Sequence, residues 1–204
     1  MTKLSLNKGA ALIVVAHPDD ETIWMGGTIL KFSAKGGENI NWTIFSLCRG
    51  DDPDRAPKFR KACKFYGARA VMSDLEDEGI MNVRESTPEI EKRIKQEIGR
   101  KRFTYLFTHR YNGEYGHPRH KGANRAVKNL IAENQLRADR VFSFGYTVPP
   151  GNDLPLPDEN ADYEVRLDNA VFNQKKNLIE KIYGFNKDSF EYRSAGFRET
   201  FCDL

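Results

Sequence analysis

The chain has 204 residues, 39% hydrophobic and 30% charged, with 32 Lys+Arg against 29 Asp+Glu for a net charge of +3. That composition is globular and long enough for a sizeable core, which excludes a disordered or collagen-like chain. The near balance of charge, without a basic run, argues against nucleic acid as a partner.

From the N-terminus, short apolar runs alternate with amphipathic stretches, the pattern of an α/β fold with a mainly parallel sheet and helices on both faces. Residues 11–16 are apolar throughout, as in a central strand covered on both sides. A helix is expected over 21–35, stopped by Gly36 and Gly37, then a strand over 41–47 and a helix over 58–66 ending at Gly67. A short strand follows at 70–72. Ser86, Thr87, Pro88 and Glu89 have a capping-box spacing, and Ile90, Ile94 and Ile98 mark one buried helical stripe behind it. A strand over 104–107, a helix over 120–134 and a strand over 141–144 come next. Residues 147–162, rich in Pro, Asp and Asn, read as a long loop, followed by a helix over 170–183 and an aromatic tail ending at Phe201. The expectation is one domain spanning 1–204, with a core of about 10–145 and a loop and helical extension over 146–204.

Cys48, Cys63 and Cys202 are widely spaced and contain no CxxC, which suits a reducing compartment. No apolar run approaches a membrane span, and residues 1–8 lack the apolar core of a signal peptide. A cytoplasmic location is therefore expected.

Three of the four histidines fall in two strand-end turns. The run Ala16, His17, Pro18, Asp19, Asp20, Glu21 follows the most apolar strand, where open α/β sheets bind ligands. Imidazole and carboxylate are both zinc ligands, and a carboxylate that does not ligate is placed to act as a general base. Gly116, His117, Pro118, Arg119, His120 opens the helix after the 104–107 strand and offers two more imidazoles. Each cluster also has a plain structural reading, as a helix N-cap with a surface histidine or as an exposed loop. His109 is either a neighbour of the site or a structural loop histidine, and Trp24 and Met25 read as core or pocket wall. The Gly26-Gly27 pair lacks a dinucleotide fingerprint, and no phosphate-binding GxxxxGK loop exists.

The motif at 16–21, Gly26-Gly27-Thr28 behind it, and Gly-His-Pro-Arg-His at 116–120 resemble the LmbE-like (PIG-L) family of zinc-dependent N-deacetylases over at least 12–126. The resemblance implies a Rossmann-like three-layer fold, one zinc ion and hydrolysis of an acetamide on an N-acetylglucosamine-type sugar or glycoconjugate. By position it implies His17, Asp20 and His120 as metal ligands, Asp19 as general base, and His117 polarising the amide oxygen and stabilising the oxyanion; for that role His117 is expected to be protonated during turnover. It also implies Arg55 and Asp77 as sugar contacts. Arg119 and Lys58 depart from the family pattern, and the C-terminal region matches it poorly. Iron in place of zinc and a homo-oligomer are left open. Two rivals stand beside this reading: a metal-stabilised binding protein without catalysis, and a divalent-metal hydrolase of another amide, ester or phosphoester.

Overall fold

A computed structural model of the chain describes residues 1–33 and 40–204. In chain order the elements are β1 (Thr2–Lys3), β2 (Gly9–Val15), α1 (Asp20–Phe32), β3 (Ile40–Cys48), α2 (Arg55–Tyr66), β4 (Arg69–Leu75), α3 (Val83–Ile98) and β5 (Arg102–Thr108). There follow α4 (Pro118–Ala132), β6 (Arg137–Phe144), β7 (Tyr146–Thr147), β8 (Leu156–Pro157), β9 (Tyr163–Arg166), α5 (Asn169–Asn177), α6 (Phe190–Ser194) and β10 (Arg198–Asp203). A π-helical turn, Leu178–Tyr183, continues α5.

The eight-stranded sheet has the order β1-β9-β10-β6-β5-β2-β3-β4. Strands β4, β3, β2, β5 and β6 run parallel. The period of two along β2 divides its apolar residues between the two faces. Ala11, Ile13 and Val15 join a core with α1, α2 and the C-terminal segments, whereas Leu12 and Val14 join one with α3 and α4. The chain leaves β2 for β3 on one side and later enters β5 on the other. The carboxyl ends of β2 and β5 therefore flank the switch point where such sheets bind ligands.

Three expectations are corrected. The capping box of α3 is Asn82 with Glu85, one turn before Ser86, and Pro88 lies inside the helix. The Ser86 and Thr87 hydroxyls instead bond back to the Val83 carbonyl. The aromatic tail is strand β10, inserted antiparallel between β6 and β9, so the sheet extends well past residue 145. Within the expected loop, β8 pairs with β7. The expected helix end at Lys35 and stop at Gly36-Gly37 lie outside the described residues; α1 ends at Phe32. Among the described residues no helix is long and apolar enough to cross a membrane.

Helix α1 breaks at Met25, whose φ of −147° interrupts the helical bonds. The amides of Gly27 and Thr28 donate instead to the Glu199 carboxylate on β10, at 2.8 and 2.7 Å. Lys175 on α5 neutralises that carboxylate at 2.7 Å, and both side chains are fully buried. The Trp24 carbonyl accepts from the Tyr146 hydroxyl at 3.0 Å. Gly27 is required by close approach, because a Cβ there would stand 2.3 Å from Leu167 Cδ2. Removing one partner of a buried ion pair leaves an uncompensated charge and costs about 3–5 kcal/mol. Lys175→Met should accordingly lower the unfolding free energy in urea by about that amount. A loss below about 1 kcal/mol would show that the two amides and the Thr28 hydroxyl satisfy Glu199 without Lys175.

Candidate metal centre

The turn after β2 is tightly held. The His17 amide donates to Asp20 Oδ2 at 2.8 Å, and Trp24 Nε1, one turn along α1, donates to Asp20 Oδ1 at 2.9 Å. Asp20 thus presents one oxygen, Oδ2, to the histidines. Between them Asp19 takes φ 118°, a conformation that L-residues avoid and that marks strain retained at a functional site. Its amide donates to Glu21 Oε2 at 3.2 Å, and its own Oδ2 accepts from Arg55 Nη1 at 2.9 Å. Glu21 is anchored in turn by the hydroxyls of Thr22 and Tyr183. Burial, helped by the neighbouring Asp20, pushes the Asp19 carboxyl well above the usual range, against the pull of Arg55.

The second half of the site grows from the end of β5. The Ala16 amide donates to His109 Nε2 at 3.0 Å, so the ring proton of His109 sits on Nδ1, 2.9 Å from Glu114 Oε2. The same oxygen receives His120 Nδ1 at 2.6 Å. Glu114 Oε1 accepts the Arg110 amide at 2.8 Å. The rings of His109 and His120 stack with centroids 3.7 Å apart. Burial alone would raise the Glu114 pKa, but the two imidazoles hold it at about 2. Sequence reasoning missed Glu114, which stands in the loop with φ 57°. The spacing of 109, 114 and 120 carries no helical or strand period. Trp24 could have been found, since it lies four residues after Asp20 on a helix.

With Nδ1 committed to Glu114, His120 turns Nε2 inward. That atom lies 3.4 Å from His17 Nδ1 and 3.4 Å from Asp20 Oδ2, and the latter two atoms are 3.3 Å apart. An ion holding tetrahedral ligands at about 2.0–2.1 Å needs edges of about 3.3–3.4 Å, so this near-equilateral face fits zinc. Burial alone would lower the His17 pKa, yet Asp20 and Asp77 raise it to about 9. Such a negative field favours a cation, which would displace those protons. Besides this face, three further groups of donors lie within 4.8 Å among the described residues: His17, His117 and His120; His17, Cys48 and Asp77; Asp20, His109 and His120. His109 has both ring nitrogens engaged. Burial pushes the Cys48 thiol up, away from the thiolate a metal needs.

A cavity of about 240 Å³ opens over this face. Its polar wall holds Asp19, Arg55 and Asp77, and its far wall Tyr115, Phe190 and Glu191, the last two from the poorly matching C-terminal region. Asp77 stands 3.1 Å from His17 Nε2 and 3.3 Å from Arg49 Nη2. Arg55 also lies over the Phe185 ring. His117 caps α4, its Nδ1 accepting the Arg119 amide at 3.2 Å. Burial and the neighbouring His120 and His17 lower its pKa to about 4. The expected imidazolium is therefore a neutral ring that carries its proton on Nε2. The Arg119 guanidinium binds the Glu76 and Met81 carbonyls at 2.7 and 2.8 Å and the Glu76 carboxylate.

Loss of a partner that orients a metal-ligating histidine weakens metal affinity by about 10–100-fold. Glu114→Ala should show that loss in a competitive zinc titration. Unchanged affinity would mean that His120 is oriented by other contacts.

The family model described as PIG-L: GlcNAc-PI de-N-acetylase matches residues 12–131. A 1D-myo-inositol 2-acetamido-2-deoxy-alpha-D-glucopyranoside deacetylase of Nocardia farcinica is 27% identical over 76% of this chain, and the match spans 63% of that relative's length. Two solved structures share the fold. One is GalB, the 4-carboxy-2-hydroxymuconate hydratase of a Pseudomonas, with a TM-score of 0.63 at 14% identity, covering 96% of this chain and 95% of that one. The other is the N,N'-diacetylchitobiose deacetylase of Pyrococcus horikoshii, with a TM-score of 0.61 at 15% identity, covering 96% and 83%. With most of the parallel sheet and both histidine turns inside the matched span, the chain belongs to the PIG-L family.

Proposed function

We propose that this protein is a metal-dependent hydrolase that removes an acetyl group from an N-acetylated amino sugar, with His17, Asp20 and His120 holding one divalent ion, zinc by preference. The observation that carries the reading is the 3.3–3.4 Å face formed by His17 Nδ1, Asp20 Oδ2 and His120 Nε2, beside a strained carboxylate that stays outside it. Zinc held there would act as a Lewis acid, polarising an amide carbonyl and making water nucleophilic near neutral pH.

The remaining steps fall to the chain's own groups. Asp19 accepts the proton of the attacking water and passes it to the departing amine, acting first as base and then as acid. Arg55 holds the Asp19 carboxylate in place at 2.9 Å. His117, neutral and capping α4 through Nδ1, donates from Nε2 to the oxygen that becomes negative in the tetrahedral intermediate. Asp77 sets the His17 ring and, with Arg55, borders the sugar. The aromatic faces of Tyr115 and Phe190, packed edge to face with centroids 4.8 Å apart, offer a surface for the sugar ring. A non-catalytic metal site would have no use for Asp19, and a phosphoester would need a free cation. Arg49 and Arg55 are instead both paired with carboxylates. The three cysteines are unpaired, in keeping with a reducing compartment.

Zinc-loaded protein should release acetate from an N-acetylglucosamine glycoside, stop on chelation and resume when zinc is restored. Asp19→Asn should keep its zinc and lose roughly a hundred- to ten-thousandfold in turnover, whereas Asp20→Asn should lose zinc itself. The opposite pattern, zinc lost from Asp19→Asn and kept by Asp20→Asn, would reverse the assignment of the two carboxylates.

A further inference from the structure

A second cavity, of about 550 Å³, adjoins the first across Asp77 and is lined by Met81, Val83, His117 and Pro118. Its wall, the loop from β4 to α3, is pinned from several directions. The Glu76 carboxylate accepts the Ile80 and Met81 amides, Arg119 clamps the Glu76 and Met81 carbonyls, and Asn82 caps α3. An apolar groove set against a pinned loop and reaching His117 suits an apolar ligand. The acidic residues at the rim, Asp77 and Glu78, disfavour an anionic one.

An amide has two substituents, and the two cavities differ in the same sense. The cavity bearing Asp19, Arg55 and Glu191 suits a polyhydroxylated amine. The groove across Asp77 suits the acyl part, because His117, which lines it, would hold the carbonyl oxygen at its edge. We propose that the groove is an acyl-chain subsite, and that the enzyme's substrates include, beside the acetyl compound, amino sugars N-acylated with longer linear chains. The inference rests on the amide-hydrolase reading above and sharpens its substrate class. The chemistry is unchanged: water adds to the acyl carbon, the C–N bond breaks, and a carboxylic acid and a protonated amine result.

The test compares the N-acetyl, N-butyryl and N-hexanoyl derivatives of one glucosamine glycoside with zinc-loaded protein, following amine release. Burial of a methylene strengthens binding by roughly two- to fourfold, so kcat/KM should rise from acetyl to hexanoyl. Two substitutions probe the groove itself: Met81→Ser removes an apolar wall, and Val83→Phe fills it. Each should lower the ratio of hexanoyl to acetyl kcat/KM by about tenfold. Hydrolysis of the acetyl compound with the hexanoyl compound turned over a hundredfold more slowly, or a ratio unmoved by both substitutions, would overturn the subsite and leave the deacetylase reading standing. Release of amine from none of the three would overturn both.

Discussion

One buried carboxylate decides what the rest of the site can do. Glu114 Oε2 takes Nδ1–H from both His109 and His120, at 2.9 and 2.6 Å, and so sets the tautomer of each ring. For His109 the outcome is structural: its Nε2 is spent on the Ala16 amide, which ties the end of β2 to the end of β5. For His120 the outcome is chemical: its Nε2 is left bare and aimed at His17 and Asp20. Two stacked histidines of similar burial thus differ in availability, because only one faces a backbone donor.

The turn carrying Asp19 depends on a comparable restraint from the other side. A positive φ at an aspartate is unfavourable in isolation, and here the Asp19 amide is held by Glu21 and its carboxylate by Arg55. That geometry turns Asp19 away from the ligand face while Asp20, the next residue, points into it. The break in α1 at Met25 is held by Glu199, Lys175 and Tyr146. The C-terminal strand thereby supports the helix that carries Asp20 and Trp24. It also explains why Glu199 and Lys175, charged residues in a region that reads as tail and helix, are buried: their partners lie 21 or more positions away in the chain.

Much of the parallel sheet was legible because β2, β3 and β5 carry short apolar runs between helical stretches and β2 ends in an unmistakable turn. The two histidine motifs were legible for a related reason, since each follows a strand and opens a helix. The misses were residues whose role comes from chain folding back on itself. Glu114 acts through a loop conformation, Phe190 and Glu191 through a short helix that closes over the cavity, and β10 through an antiparallel insertion that needs no crossover helix. The Asn82 box has the same spacing as the Ser86 box, so local pattern could not choose between them. The fold alone leaves the chemistry open, as a hydratase and a deacetylase share it. What points to amide hydrolysis is the donor face and Asp19 beside it.

X-ray absorption spectroscopy at the zinc edge of the loaded protein tests that donor face most directly. The face of His17, Asp20 and His120 predicts two imidazoles and one carboxylate, with nitrogen and oxygen at about 2.0–2.2 Å and no sulfur. A sulfur shell at about 2.3 Å would place the ion with His17, Cys48 and Asp77. Three imidazoles would place it with His17, His117 and His120 and take from His117 its part at the carbonyl oxygen.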